Sequence, residues 1–197
     1  YYPLDADQIR LAVIHPGTQS EPLHCSLHTV RLSQWETEEA PSSDLPFPPA
    51  YEALSYVWGS TDRPESVIMH HGNNLRIALC GLRKSSDFRV VWVDSLCINQ
   101  DDLLERGTQV ALMWRIYRQA SHVVIWLGEE EHYTTDAVFA IHKFATSANI
   151  PKKFPFRQPE LFIPVELQHA VIAMLRHPWF TRLWVFQESI AAQETTV

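Results

Sequence analysis

Short apolar runs along the chain predict strands, and two of these runs lie near its start. Residues 9–14 and 25–32 are separated by a turn at Pro16 and Gly17, so they predict a two-stranded ribbon. From residue 36 to 49 the chain is acidic and then rich in proline. Because proline cannot donate a hydrogen bond inside a sheet, we expect a surface loop there.

Three further apolar runs predict a central sheet. They cover residues 51–58, 90–93 and 123–127, and the second is short and continuous, which is typical of a strand buried on both faces. The segment between the second and third runs opens with Asp101 and Asp102 and then repeats apolar residues at helical spacing. A strand, a helix and a strand in that order predict a crossover between parallel strands. We therefore expect an α/β fold with a parallel sheet flanked by helices.

The rest of the chain divides into expected turns, loops and helices. Residues 71–74, His-Gly-Asn-Asn, lie between two short apolar runs and predict a β-hairpin, because Gly and Asn accept positive φ. A second proline-rich stretch predicts a loop over residues 150–164. Helices are expected over residues 78–88, 134–148, 165–176 and 182–192.

Composition favours one intracellular domain. The 197 residues are 46% hydrophobic and 20% charged, as in ordinary globular proteins. A formal net charge of -7 gives no electrostatic reason to bind nucleic acid or an anionic membrane. Three cysteines without a CxxC pair predict buried, reduced thiols, and no signal peptide or membrane-spanning run is present, so we expect a cytoplasmic protein. The chain begins without Met and stops as a strand-like pattern begins, so we expect it to be part of a longer protein.

The sequence lacks the common catalytic and metal-binding motifs. Its ten histidines form neither HxH nor HExxH, so we expect no metal site. The absence of GxGxxG, GxxxxGK[ST] and GxSxG argues against Rossmann, P-loop and α/β-hydrolase sites. Cys97 lies between Leu96 and Ile98, which favours a small core residue over a nucleophile.

Polar residues at the ends of the predicted strands and on the last predicted helix are the candidates for chemistry. They are Ser55, Asp94, Asn99, Gln100, Arg182, Gln187 and Glu188. Such side chains can converge on one cleft at the carboxyl edge of a parallel sheet. Trp184 and Glu188 are four residues apart, so on a helix they share a face and the indole can shield the carboxylate from water. The alternative is that Glu188 lies on the helix surface and pairs with Arg182.

Three segments resemble the signature blocks of the fungal HET domain. They are YEALSYVWG at residues 51–59, WVDSLCINQD at residues 92–101 and RLWVFQE at residues 182–188. HET-domain proteins trigger the death of fused fungal cells when incompatible partners meet. The resemblance therefore implies a heterokaryon-incompatibility effector that acts in allorecognition and cell death.

The same resemblance implies a single domain over residues 1–197. Residues 1–50 would carry the N-terminal strands and the proline-rich loop, and residues 51–197 the core. The HET family is distantly similar to TIR domains, which implies a TIR-like (flavodoxin-like) parallel sheet flanked by helices, with an added N-terminal β ribbon. Residues 53–63 resemble the first TIR strand and its loop, and residues 120–124 resemble a later junction between helix and strand.

The TIR resemblance also implies an activity. Many TIR domains cleave NAD at the nicotinamide glycosidic bond, and their essential carboxylate is the Glu of a Trp-Cys-x-x-Glu segment. Trp184 and Glu188 have that spacing, although position 185 is Val. Glu188 is thereby implied to be catalytic, with NAD+ as substrate and no cofactor, since a carboxylate can stabilise the oxocarbenium character that develops in this cleavage. The implied substrate-binding residues are Ser55, Tyr56, Trp58, Gly59, Asp94, Asn99, Gln100, Arg182 and Trp184. Among these, an indole would stack nicotinamide or adenine and the guanidinium would meet pyrophosphate.

Two functions follow from these observations. In the first, the domain consumes NAD after self-association, and an upstream recognition protein of the NLR type can activate it. In the second, the domain is a non-catalytic adaptor that signals by homotypic assembly, and Asp94, Asn99 and Glu188 are buried structural groups.

Overall fold

A mixed β-sheet forms the centre of the fold in the computed structural model, which describes residues 1–36, 50–58, 72–148 and 164–197. Six strands lie within these ranges. They are β1 (Gln8–Ile14), β2 (Cys25–Arg31), β3 (Glu52–Tyr56), β4 (Arg89–Trp92), β5 (His122–Trp126) and β6 (Thr195–Thr196). The α-helices are α1 (Gly72–Leu82), α2 (Asp94–Cys97), α3 (Leu103–Gln119), α4 (Thr134–Ala148), α5 (Val165–Leu175) and α6 (Val185–Ala191). Two 3₁₀ turns cover Leu32–Trp35 and Pro178–Thr181.

The sheet combines a parallel part with an antiparallel ribbon. Its strand order is β2-β1-β4-β3-β5-β6. Strands β4, β3, β5 and β6 are parallel to one another, whereas β1 is antiparallel to both β2 and β4. The predicted α/β class, parallel sheet and N-terminal ribbon are therefore confirmed. The strands β4 and β5, which the predicted crossover joins, lie on either side of β3.

The described residues form two compact units. The first comprises residues 1–128 and 183–197, and it contains the whole sheet, α1 to α3 and α6. The second comprises residues 129–182, where α4 packs on α5. Its buried residues include Ala137 and Ala140 on α4 and Ala170 and Met174 on α5, so small side chains allow the two helices to approach closely.

Helix α3 begins and packs as its pattern predicts. The Asp102 carboxylate caps its first turn, accepting hydrogen bonds from the backbone N–H groups of Leu104 at 3.0 Å and Glu105 at 3.1 Å. Its inner face carries buried Met113, Ile116 and Tyr117. The Tyr117 ring meets the buried indole of Trp92 on β4 edge to face, with ring centroids 5.6 Å apart. This helix therefore covers the strand that leads into the candidate site.

The predicted β-hairpin at residues 71–74 is wrong for the part that the structure describes. Gly72–Leu82 is the helix α1, because Leu75, Ala78, Leu79 and Leu82 recur at helical spacing and are all buried. The burial of this apolar face outweighs the local turn preference of Gly and Asn. The helix predicted over residues 78–88 correspondingly ends at residue 82.

Two other predictions need correction. Cys25 lies exposed on β2, whereas Cys97 is buried as predicted, and Cys80 is intermediate. The last long helix begins at Val185 rather than at residue 182, so Arg182 lies outside it.

The predicted loops at residues 37–49 and 150–163, and the segment 59–71 with Gly59, lie outside the described residues. Within the described ranges, every helix is too short or too polar to span a bilayer.

Candidate functional site

A buried serine and a buried carboxylate lie together at the centre of the candidate site. Ser55 is near the carboxyl end of β3, and Glu188 is on α6; each is only 1% exposed. The Ser55 hydroxyl donates a hydrogen bond to Oε2 of Glu188. Glu188 is therefore buried, and the part of the alternative that placed it on the helix surface is wrong.

Helix α6 has an unusual distribution of polar and apolar side chains. It buries Glu188 and exposes Phe186 and Ile190, which are 74% and 56% exposed. Taking a carboxylate out of water is costly unless hydrogen bonds or charges compensate. Global stability alone would favour the opposite arrangement, so the buried Glu188 marks a functional candidate.

A second polar pair lies at the ends of β3 and β4. The Trp58 indole Nε1–H points at both carboxylate oxygens of Asp94, at 3.2 Å and 3.1 Å. The backbone N–H of Ser95 donates to the same carboxylate at 2.7 Å. Since β3 and β4 are parallel neighbours, residues that follow them meet at one edge of the sheet, as the sequence predicted.

Tyr56 connects the same two strand ends from inside the core. Its hydroxyl donates a hydrogen bond of 2.6 Å to Oγ of Ser95, and both residues are buried. Because this phenol is enclosed and already bonded to a neighbouring side chain, its role is to fix α2 against β3. The sequence interpretation did not select Ser95 as a site residue, although Ser95 lies inside the WVDSLCINQD block.

Asn99 and Gln100 shape the turn between α2 and α3. The Gln100 side-chain amide donates to the backbone carbonyl of Asp94 at 3.0 Å. The side-chain oxygen of Asn99 accepts from the backbone N–H of Asp101 at 3.3 Å. These two amides therefore stabilise the backbone around Asp94.

An ion pair that the sequence interpretation missed lies beneath this turn. Arg10 on β1 donates to Oε1 of Glu105 at 2.6 Å and to Oε2 at 3.0 Å, and both side chains are almost fully buried. The hydrogen bond from Arg10, assisted by one from the backbone N–H of Asn99, lowers the pKa of Glu105 although burial opposes the shift. The sequence contained a signal for this pair, since Arg10 lies within the apolar run at residues 9–14. An arginine inside an apolar strand requires a buried partner.

Comparison with known proteins now gives the family. The family model described as Heterokaryon incompatibility protein (HET) matches residues 51–188, well over half of the chain. The chain belongs to the HET family. Ser55, Asp94 and Glu188 all fall within the matched part of this HET domain, whereas Arg10 precedes it.

A curated relative of the HET domain supports the same assignment. The chain is 28% identical to "Heterokaryon incompatibility protein 6, OR allele" of Neurospora crassa over 234 aligned residues. The alignment covers 95% of this chain and 32% of the relative, so the chain spans about a third of that protein. No solved structure matches the HET domain.

Trp184, Arg182 and Gly59 are the remaining predicted site residues of the HET domain. Trp184 precedes α6 and is 44% exposed, and its carbonyl accepts the backbone N–H of Glu188 at 3.0 Å. Arg182 follows the 3₁₀ turn of the second unit. Gly59 lies outside the described residues. The exposed indole of Trp184 contrasts with the buried carboxylate one turn away.

Thiol and metal chemistry can be compared with the residues that the structure describes. Burial raises the pKa of the Cys97 thiol to about 12, so the thiolate needed for nucleophilic attack is suppressed at neutral pH. The described ranges contain no group of three or more His, Cys, Asp or Glu side chains that could hold a metal ion. The polar groups that the structure brings together at the candidate site are carboxylates, hydroxyls and an indole.

Proposed function

We propose that this HET domain is a heterokaryon-incompatibility cell-death effector that cleaves NAD+ to nicotinamide and ADP-ribose in a TIR-like site when copies self-associate. The family assignment and the name of the Neurospora crassa relative support the role in incompatibility. The observation that carries the enzymatic part is the buried carboxylate of Glu188, held by Ser55 beside the carboxyl end of a parallel strand.

The sheet topology supports a ligand site at this position. The four parallel strands lie in the order β4-β3-β5-β6. If these four alone are numbered in chain order, with β3 as the first, their order is 2-1-3-4. This is how the doubly wound order 2-1-3-4-5 begins. In such sheets ligands bind outside the carboxyl ends of the strands where the order reverses, here between β3 and β5. Ser55 lies opposite Ile125 in the ladder that joins these two strands.

Glu188 has the chemistry that glycosidic cleavage requires. As nicotinamide leaves, positive charge develops on the ribose, and a fixed carboxylate stabilises that charge and orients the ribose hydroxyls. The hydrogen bond from Ser55 keeps the carboxylate in one orientation. In this step the bond between ribose and nicotinamide breaks, nicotinamide leaves as a neutral molecule, and water forms the new bond to the ribose and releases one proton to the solvent.

In this proposal NAD+ is bound by the residues that the sequence predicted to bind substrate. Trp58 is 43% exposed, and Asp94 holds its edge, so the indole can present a face to nicotinamide or adenine. Trp184 offers a second exposed ring, and Arg182 is the proposed partner of the pyrophosphate. Tyr56, Asn99 and Gln100 keep the strand ends in place.

We propose that self-association opens the site around the buried carboxylate of Glu188. At 1% exposure, Glu188 meets substrate only after neighbouring segments move. Assembly of copies, triggered by an upstream recognition protein, would supply the free energy for that movement. A single copy is therefore expected to be silent.

The test is nicotinamide release from an enforced oligomer. The chain is fused to an oligomerising coiled coil, and wild type is compared with Glu188→Gln, which keeps the side-chain volume and removes the charge. Glu194→Gln is the matched control, because the Glu194 side chain is 77% exposed. We expect release by wild type and the control, and a loss of at least about 100-fold for Glu188→Gln with unchanged circular dichroism.

Expression in cells separates this proposal from an adaptor. Wild type should deplete NAD and kill, and Glu188→Gln should do neither. Killing with an unchanged NAD level, together with no nicotinamide release by the wild-type oligomer, would reject the enzymatic proposal in favour of signalling by assembly.

A further inference from the structure

A buried arginine links the N-terminal ribbon to the segment that follows β4. Arg10 is 3% exposed and lies in the middle of β1, where its strand neighbours are apolar. Besides the two oxygens of Glu105, its guanidinium donates to the backbone carbonyl of Cys97 at 3.0 Å. One side chain on β1 thus contacts both the end of α2 and the first turn of α3.

Glu105 completes this connection from the other side. Its Oε1 accepts the backbone N–H of Asn99 at 2.7 Å as well as the hydrogen bond from Arg10. The ion pair therefore bonds to the backbone on both sides of Ile98. We call Arg10 and Glu105, with their bonds to Cys97 and Asn99, the ribbon clamp.

The ribbon clamp bonds to the segment that begins at Asp94. Asp94 and Cys97 bound the single turn of α2, and the Gln100 amide returns to the Asp94 carbonyl at 3.0 Å. The segment 94–100 is therefore held at its middle by the clamp and closed on itself by Gln100. The Asp94 carboxylate at its start holds the Trp58 indole.

The free energy of burying an ion pair indicates that the ribbon clamp fixes the conformation of the backbone rather than adds stability to the fold. A buried ion pair is on average no more stabilising than apolar side chains of equal volume, because desolvation offsets the attraction. An apolar pair, however, could not satisfy the Cys97 carbonyl and the Asn99 N–H. The clamp thus specifies the conformation of a turn that an apolar core would leave unspecified.

We infer that Arg10 and Glu105 are positioning residues, which fix segment 94–100 so that Asp94 orients Trp58. The functional unit therefore extends into β1, although the family match begins at residue 51. Any effect of the clamp on catalysis rests on the proposed NAD cleavage, whereas its effect on Trp58 does not.

The experiment measures the Trp58 indole directly. The indole N–H resonance of Trp58 is assigned in ¹⁵N-labelled chain with Trp58→Phe, and its chemical shift reports the hydrogen bond to Asp94. Arg10→Lys keeps the positive charge but replaces Nη1 and Nη2 with one ammonium nitrogen, so it loses the contact of two nitrogens with the two carboxylate oxygens of Glu105. Arg89→Lys is the matched control, because Arg89 forms a similar pair with Glu52 at 2.6 Å but lies at the opposite end of β4.

We expect Arg10→Lys to shift the Trp58 resonance and Arg89→Lys to leave it in place. If Arg10→Lys does not fold, Glu105→Gln is measured in its place. It keeps an oxygen that can accept the backbone N–H of Asn99 but loses the negative charge that pairs with Arg10. A folded clamp variant with an unmoved Trp58 resonance would overturn the inference.

The enforced oligomer adds an activity readout. If the clamp orients a stacking indole, Arg10→Lys should raise KM for NAD+ about fivefold or more, and Arg89→Lys should not, since one lost aromatic contact is worth about 1–3 kcal/mol. A shifted resonance with an unchanged KM would overturn the link to substrate binding. If the wild-type oligomer releases no nicotinamide, the proposed function fails, and the resonance still decides whether the clamp positions Trp58.

Discussion

The hydroxyl of Ser55 on β3 donates a hydrogen bond to the carboxylate of Glu188, which lies 133 residues later on α6. Both residues are enclosed by the core of the first unit. This bond ties the last helix of the described chain to the middle of the sheet. It also accounts for how a carboxylate can be accommodated among apolar side chains.

Replacing Ser55 with Ala should destabilise the fold. The substitution removes a donor from a buried carboxylate, so the free energy of unfolding should fall by about 1–3 kcal/mol in urea denaturation. Ser189→Ala is the control, because the Ser189 hydroxyl bonds only the carbonyl of Val185 in its own helix, at 2.8 Å. Equal losses for the two variants would contradict the importance of the bond to Glu188.

Stability should depend on pH through Glu105. Its pKa is lowered in the folded state, chiefly by the hydrogen bond from Arg10, relative to an ordinary glutamate value of about 4.3. The ionised carboxylate therefore stabilises the fold above that pH, and the contribution is lost as the pH falls through the lower folded value. Urea denaturation between about pH 3 and 6 should show a shallower acid decline for Glu105→Gln than for wild type. Identical slopes would count against the ion pair.

Two glycine substitutions should have opposite effects. A Cβ at Gly81 on α1 would lie 2.7 Å from Cη2 of Trp126, whereas nothing lies within 4 Å of one at Gly107 on α3. Alanine in an open helix position gains about 0.5–1 kcal/mol, but overpacking costs about 1–3 kcal/mol. Gly107→Ala should therefore raise Tm and Gly81→Ala should lower it in thermal denaturation. A rise for both would show that the Trp126 ring moves aside without cost.

Cys97 should be unreactive in the folded protein. It is fully buried, and burial raises the pKa of its thiol to about 12. A thiol titration at pH 8 should count this cysteine only after denaturant is added, and the additional equivalent should disappear in Cys97→Ala. Rapid reaction of Cys97 under native conditions would reopen the possibility of a thiol nucleophile.

Local patterns along the chain predicted most of the elements. The helix expected over residues 134–148 is α4 with the same bounds, and the predicted run at residues 123–127 forms β5 to within one residue. These predictions succeeded because each element buries its apolar residues in a local pattern: β5 buries Val123, Val124 and Ile125 in succession, and α4 buries Ala137 and Ala140 on one face. The prediction at Gly72 failed because turn-forming residues at a helix start have the same composition as a hairpin turn.

The candidate site was predicted only in part. Ser55, Asp94 and Glu188 were singled out because they follow or interrupt apolar runs. Their bonding partners were not predicted, since Trp58 pairs with Asp94 and Ser55 with Glu188 through contacts between distant segments. Arg182 was placed on the last helix, yet that helix begins at Val185.

The sequence alone determined the α/β class, the family blocks and the residues that end the strands, because each depends on neighbours a few positions apart. Only the tertiary structure decided that Glu188 is buried against Ser55 and that Arg10 reaches Glu105 across 95 residues. The physical reason is that a buried charge requires a partner, and nothing local to the charge specifies which distant segment supplies it.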